Sequence, residues 1–181
     1  MSETIPTFKT WQRIKLGTGL NTGKDFYRAW RSAGHNVYIH TMDMVFDPKF
    51  SIGSEREREV DLVRVEIDEL GLDPSPENTS IVDICKRAVL LGLSPCAEVA
   101  FQLILQAKPL EYPSGKIWWE YINLFIGMEP INNYGNPSVF FIGNLWETGY
   151  PFLSSFSANS VRSWSRYSWV FKRHEPEDIS S

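Results

Sequence analysis

The spacing of the apolar residues changes character near residue 110. Before that point Ile81, Ile84 and Ala88 recur at the interval of a helix face. After it, the stretch from Ile117 to Ile126 is rich in aromatic and β-branched residues, which favour strands. Helices and strands bury their apolar residues at different intervals, so the pattern predicts an α+β fold. We expect a helical N-terminal half and a C-terminal, Trp-rich antiparallel sheet.

The helical half is predicted from capping residues and glycines. Asn21 or Thr22 is placed to cap a helix over residues 24–32. The segment over residues 37–46 also favours a helix. Thr79 or Ser80 caps a third helix that Gly92 ends, and Ser94-Pro95 then reads as an N-cap and a first helical residue. The two helices that meet at Gly92 predict an αα-hairpin.

Two segments read as strands by alternation. Val63, Val65 and Ile67 alternate with charged residues and predict the one strand of the N-terminal half. Tyr167, Trp169 and Phe171 alternate in the same way near the C-terminus and predict the last strand of the sheet. Residues 1–181 are expected to form a single domain, with flexible tails over 1–12 and 174–181.

Composition limits the classes of function. The net charge of −4 argues against a general polyanion binder, so nucleic acid is a disfavoured partner. Two cysteines cannot build a disulfide framework, and no stretch reads as a signal peptide or a membrane span. These features predict a cytoplasmic protein without a membrane partner. No glycine-rich phosphate loop or metal-ligand motif is recognisable, and we predict no cofactor.

Several short sequence islands follow one another in a fixed order along residues 14–173. They are Leu16-Gly17-Thr18-Gly19, Glu59-Val60-Asp61-Leu62-Val63, Leu91-Gly92-Leu93, Cys96-Ala97-Glu98-Val99, Met128-Glu129-Pro130-Ile131, Ser138-Val139-Phe140 and Trp169-Val170-Phe171. Together they resemble a family of short hypothetical proteins from uncultured bacterial lineages. That family reads Cys-Pro-Ala-Glu-Val where this chain has Pro95 before Cys96. The resemblance implies one intact domain and assigns no catalytic residue.

Aromatic residues carry the leading functional hypothesis. They make up 14% of the chain, and five of the seven Trp follow residue 117. Aromatic and arginine side chains are enriched at recognition surfaces. We therefore predict a non-enzymatic binding protein whose β half binds a partner protein or a small-molecule ligand. Trp146, Trp164, Arg162 and Arg166 are the expected binding residues.

A small glycan-directed hydrolase is the first alternative. Glu120, Glu129 and Glu147 lie in or beside the predicted sheet, near Trp119 and Trp146. Paired carboxylates with aromatic platforms are what glycoside hydrolysis needs. Whether the three acids converge is open at this stage, and no catalytic residue is assigned.

A nucleic-acid-binding protein is the second alternative. The Ala88-x-x-x-Gly92 spacing is found in DNA-binding helix-turn-helix units, but the following helix offers Cys96 and Glu98 where basic side chains are needed.

Thiol chemistry and metal binding find little support in the sequence. Cys96 in a first helical turn would gain thiolate character, although no histidine base is close in sequence. His35 and His40 are five residues apart and match no metal-binding pattern.

Overall fold

A computed structural model describes residues 7–38, 41–47, 56–106, 124–144, 151–157 and 163–174. Within these ranges nine strands join into one sheet with the order β1-β3-β9-β5-β7-β8-β2, and β4 and β6 pair with β9 and β7. The strands are β1 (Thr10–Leu16), β2 (Asn36–Val37), β3 (Arg58–Val65), β4 (Leu93–Ser94), β5 (Leu124–Ile126), β6 (Ile131–Asn133), β7 (Asn136–Asn144), β8 (Pro151–Ser157) and β9 (Ser168–Arg173). The pairs β2–β8 and β5–β9 are parallel, and the other pairs are antiparallel.

Four helices accompany these strands in the described part of the chain. They are α1 (Gly23–Ser32), α2 (Met42–Phe46), α3 (Ile81–Leu90) and α4 (Val99–Gln106). Thr22 caps α1 and Ser80 caps α3, each in a capping box with the Asp three residues later. Each box satisfies backbone N–H groups that the first helical turn leaves without a partner.

The core lies on both faces of the sheet. Phe140 and Phe141 are consecutive on β7 and therefore point to opposite faces. On one face Phe101 of α4 packs against Phe140, with ring centroids 5.1 Å apart. On the other face Phe125 stacks on Trp169 at 5.0 Å. All five rings have at most 8% of their surface exposed, so aromatic packing covers both faces of the sheet and joins α4 to it.

The predicted helical N-terminal half is wrong. Strands β1, β2, β3 and β4 all precede residue 110, and the sheet is mixed instead of antiparallel. Thr10 begins β1, so residues 10–12 belong to the sheet and not to a tail. In the segment predicted as one helix over residues 37–46, Val37 ends β2 and the helix α2 covers only Met42–Phe46. Residues 1–6 and 175–181 lie outside the described ranges.

The αα-hairpin is also wrong. Between α3 and α4, Leu93 and Ser94 form β4, which pairs with Arg173 and Lys172 of β9. Ser94 is therefore a strand residue and not an N-cap, and α4 begins only at Val99. The physical reason is that β4 forms its backbone hydrogen bonds with β9, which is about 80 residues away in the chain. Local capping signals carry no information about such a distant partner.

Candidate functional site

Trp164, a predicted binding residue, is part of the core. Its side chain is 1% exposed, and its indole Nε1 donates to the carbonyl oxygen of Thr79 at 2.8 Å. Its ring lies 5.6 Å from that of Trp169 and 5.9 Å from that of Phe125. The sequence pattern places Trp164 in a loop between strands, whereas in the structure it begins the 3-10 turn Trp164–Arg166 and is buried. Packing and the hydrogen bond account for this residue, and its ring is closed to a ligand.

The other predicted residues are only partly described. Trp146, Arg162, Glu120 and Glu147 lie outside the described residues. Arg166 ends a single 3-10 turn over Trp164–Arg166, and only its backbone is described. Glu129 is exposed on the segment between β5 and β6. Two of the three acids of the hydrolase alternative thus lie outside the described residues, and that alternative stays a prediction.

Glu129 stands at the centre of a surface groove that sequence reasoning missed. Two adjoining cavities of about 460 and 760 Å³ share Pro95, Glu129 and Pro130 in their linings. We call the two cavities together the proline groove. The smaller cavity opens towards α3, and the larger one opens towards β6 and Asp47. The groove thus continues from a helix face to a strand edge.

The α3 end of the groove is apolar. Ile81, Ile84 and Ala88 of α3 are buried, whereas Val82, Val89 and Leu90 are 45%, 52% and 72% exposed. Val82, Cys85, Val89 and Leu90 line the smaller cavity at the helical interval of a packing face, and Lys86 is the one cationic side chain among the α3 residues that line it. The helix therefore has a second apolar stripe in addition to the one it buries. The doublets Ile81-Val82 and Val89-Leu90 are the sequence signal that reveals this stripe.

The opposite end of the groove is acidic. Asp47, Glu98 and Glu129 line the larger cavity. Glu98 accepts a hydrogen bond from Lys172 at 2.5 Å, in a pair whose side chains are 23% and 19% exposed. Glu129 has no ion-pair partner among the described residues. Glu129 is thus an exposed carboxylate at the junction of the two cavities.

Buried hydrogen bonds fix the two walls of the groove relative to each other. The Cys96 backbone N–H donates to the Gly127 carbonyl at 2.7 Å, and the Cys96 thiol donates to the Val170 carbonyl at 3.2 Å. The Cys85 thiol donates to the Met128 carbonyl at 3.3 Å and ties α3 to the other wall. A preformed groove loses little conformational entropy when it is filled.

Both thiols are poor nucleophiles in this setting. Cys96 is fully buried, and desolvation raises its pKa far above the ordinary value. Cys85 is 8% exposed at the wall of the groove, and burial raises its pKa to about 11. Both therefore remain protonated near neutral pH, and the thiolate is the reactive form. Cys96 also lies outside α4, so the helix-terminus activation expected from the sequence does not apply.

A serine and a histidine meet beside the groove. Ser94 Oγ lies 3.1 Å from Nδ1 of His174, and the His174 backbone N–H donates to the Gly92 carbonyl. A hydrolytic dyad also needs a group that orients the histidine. Within the described ranges no carboxylate bonds His174. The contact is a surface hydrogen bond that fastens the end of β9 to β4.

The described part of the chain has neither a metal-binding cluster nor a membrane-spanning helix. No three His, Cys, Asp or Glu side chains there lie close enough together to hold a metal ion. None of its helices has both the length and the apolar character needed to cross a bilayer.

Comparison with protein-family models, with curated proteins and with solved structures found no match. The resemblance to short hypothetical bacterial proteins therefore stays a prediction. The proline groove is therefore the feature on which a functional proposal rests.

Proposed function

We propose that this chain is a non-enzymatic binding protein, and that it docks a short segment of a partner protein in the proline groove. The observation that carries the proposal is the second apolar stripe of α3. Three aliphatic side chains of that stripe are between 45% and 72% exposed and stand at a preformed cavity. Aliphatic groups at helical spacing beside a concave surface are the features of a helix that packs against another chain.

The proposed binding site lies elsewhere than the site that the aromatic residues predict. Trp164 and Trp169 are buried in the described core, with 1% and 0% of their surface exposed. Such rings stabilise the fold and present no face to a ligand. Apolar surface is instead available at Val82, Val89 and Leu90, which belong to the half of the chain that precedes the Trp-rich strands.

The apolar stripe alone supports weak binding. Full burial of one aliphatic side chain stabilises by roughly 1.5–3 kcal/mol, and these three are already about half buried. Covering them therefore contributes on the order of 3 kcal/mol, which corresponds to a dissociation constant in the millimolar range or weaker. A useful affinity needs polar contacts as well, and the acidic end of the groove offers them.

The experiment uses a library of random peptides about 12 residues long, displayed on phage and selected against the full chain. A synthetic copy of the selected peptide is then titrated by fluorescence polarisation. Val89→Asp places a charge on the apolar stripe and is expected to weaken binding at least about tenfold. Tyr38→Asp is the matched control, because Tyr38 is 46% exposed and lines neither cavity.

The proposal is upheld if Val89→Asp loses binding while Tyr38→Asp binds as the parent chain does. Thermal melts check that both variants stay folded, which their surface positions lead us to expect. A library that yields no peptide, or a peptide that binds the Val89→Asp variant equally well, contradicts a docking role for the groove.

A further inference from the structure

We infer that the docked segment is extended, pairs as an added strand with the outer edge of β6 at Asn132, and places a Lys or Arg side chain against Glu129. This inference rests on the proposed function and specifies its ligand class. Two independent observations carry it: the hydrogen-bonding pattern of the β6–β7 hairpin and the charge of the groove.

The hairpin fixes which backbone groups point outward. Asn133 pairs with Asn136 across the two-residue turn Tyr134-Gly135, whose φ angles of 50° and 80° are those of a type I′ turn. In such a hairpin the residues that flank the turn form a hydrogen-bonded pair, and the next pair along does not. That next pair is Asn132 with Pro137. The N–H and C=O of Asn132 therefore point away from β7.

Within the described residues no strand pairs with the outer edge of β6, where the groove passes it. Asn132 is exposed and lines the larger cavity. Among the described residues no backbone group bonds the outward N–H or C=O of Asn132. An open strand edge with both a donor and an acceptor is a template for an extended peptide, which binds through its main chain.

The charge of the groove selects a basic side chain. Glu129 lines both cavities and is three residues from Asn132. The neighbouring Glu98 is already paired with Lys172. Lys86 also lines the smaller cavity, but within the described residues neither it nor any other cation forms an ion pair with Glu129. Lys or Arg is the side chain whose charge complements it, and an arginine fork can bind both carboxylate oxygens.

These positions define an order of contacts along the ligand. An extended chain advances about 3.3 Å per residue. A residue paired with Asn132 and a residue beside Glu129 are then about three positions apart in the ligand. Beyond Glu129 the groove turns apolar at Val89, so an aliphatic or aromatic residue follows the basic one. The expected ligand combines a main-chain pairing residue, a basic residue and an apolar anchor in that order.

The test titrates the selected peptide against variants that separate these contacts. Asn132→Pro removes the outward N–H without breaking the hairpin ladder, and we expect binding to weaken at least about tenfold. Asn132→Ala is the matched control, because it keeps the backbone donor, and it should bind within about twofold of the parent chain. Glu129→Lys should weaken binding at least about tenfold, and Glu129→Gln by less.

The outcomes separate the inference from the proposed function. If Val89→Asp abolishes binding while Asn132→Pro and Glu129→Lys leave it unchanged, the inference is wrong and the docking role stands. If Asn132→Pro is unstable, hydrogen exchange of the parent chain decides: saturation with peptide must slow exchange of the Asn132 amide. An unchanged Asn132 amide overturns strand addition. Sedimentation of the free chain as a dimer that Asn132→Pro dissociates would make a second copy the occupant and also overturn the inference.

Discussion

Truncation of Trp164 tests whether the aromatic residues form core or surface. In Trp164→Ala an indole that is 1% exposed is lost, together with its hydrogen bond to the Thr79 carbonyl. A buried aromatic side chain covers roughly 200 Å², which at about 25 cal/mol per Å² is near 5 kcal/mol. The retained Cβ lowers this figure, and measured Trp→Ala changes in cores cost roughly 3–5 kcal/mol. We expect a loss of about 4 kcal/mol in the free energy of unfolding.

Trp164→Phe separates packing from hydrogen bonding. The phenyl ring fills most of the site, but the Thr79 carbonyl loses its indole donor in a place where Thr79 is 2% exposed. An unsatisfied buried acceptor costs roughly 1–3 kcal/mol, so this variant should lie between Trp164→Ala and the parent chain. Trp11→Ala is the matched control on the edge strand β1, where Trp11 is 37% exposed. About two thirds of its side chain is still covered, so its cost should be roughly 2–3 kcal/mol, below that of Trp164→Ala.

Urea unfolding followed by far-ultraviolet circular dichroism measures these differences. With a slope of about 2 kcal/mol per molar urea, the Trp164→Ala midpoint should fall by about 2 M. A midpoint shift no larger than that of Trp11→Ala would refute the reasoning. In that case Trp164 would not be a core residue, and a binding surface on the aromatic β half would again be the better hypothesis.

Three further predictions concern the thiols, the caps and a close backbone approach. Because burial raises the pKa of Cys85 to about 11 and shields Cys96, Ellman's reagent at neutral pH should react slowly with the native chain and rapidly with both thiols in guanidinium. Hydrogen bonds from Ser80 lower the pKa of Asp83, so stability from this cap is present above the ordinary value near 3.8 and is lost as pH falls below it. Asp83→Asn should therefore flatten the loss of stability that urea unfolding measures as pH falls from about 5 to about 2, the window that begins above the ordinary carboxyl pKa and runs down through the lowered one, and an unchanged slope would contradict this. Gly127→Ala would bring a Cβ into the Phe171 ring, and we expect a loss of roughly 1–3 kcal/mol in thermal or urea melts, whereas an unaffected melt would disprove the close contact.

Local signals in the sequence were sufficient to predict the helices α1 and α3 and the strands β3 and β9. The capping residues Thr22 and Ser80 sit next to the helices they begin, so a short window contains the whole signal. The predicted helix over residues 24–32 corresponds to α1. Alternation in β3 and β9 was equally local, because each strand is long enough to show its buried face.

Long-range pairing explains what sequence reasoning missed. Ser94 reads as an N-cap in isolation, but its backbone pairs with Lys172 of β9. Trp164 reads as a loop residue because its hydrogen-bond partner, Thr79, is 85 residues away. In β1 Ile14 and Leu16 alternate with polar residues, but no strand was predicted there, and residues 1–12 were expected to form a flexible tail.

The groove could not be predicted from the sequence either, because it also depends on contacts between residues that are far apart in the chain. Pro95 and Pro130 come together only because Cys96 bonds the Gly127 carbonyl across the sheet edge. The exposed stripe of α3 was visible as apolar doublets, but a helix window does not show which of two apolar faces is buried. Glu129 was named as a candidate acid, and its position at the groove could not be derived from its neighbours in the chain.

Chemical-shift mapping tests the docking role of the proline groove most directly. The full chain, labelled with ¹⁵N, is titrated with the peptide selected from the displayed library, and amide shifts are followed to saturation. The account predicts that the largest changes fall on the outer face of α3 at Val89 and on Glu129 and Asn132. Largest changes on β8 and around Trp164, with Val89, Glu129 and Asn132 unmoved, would contradict it.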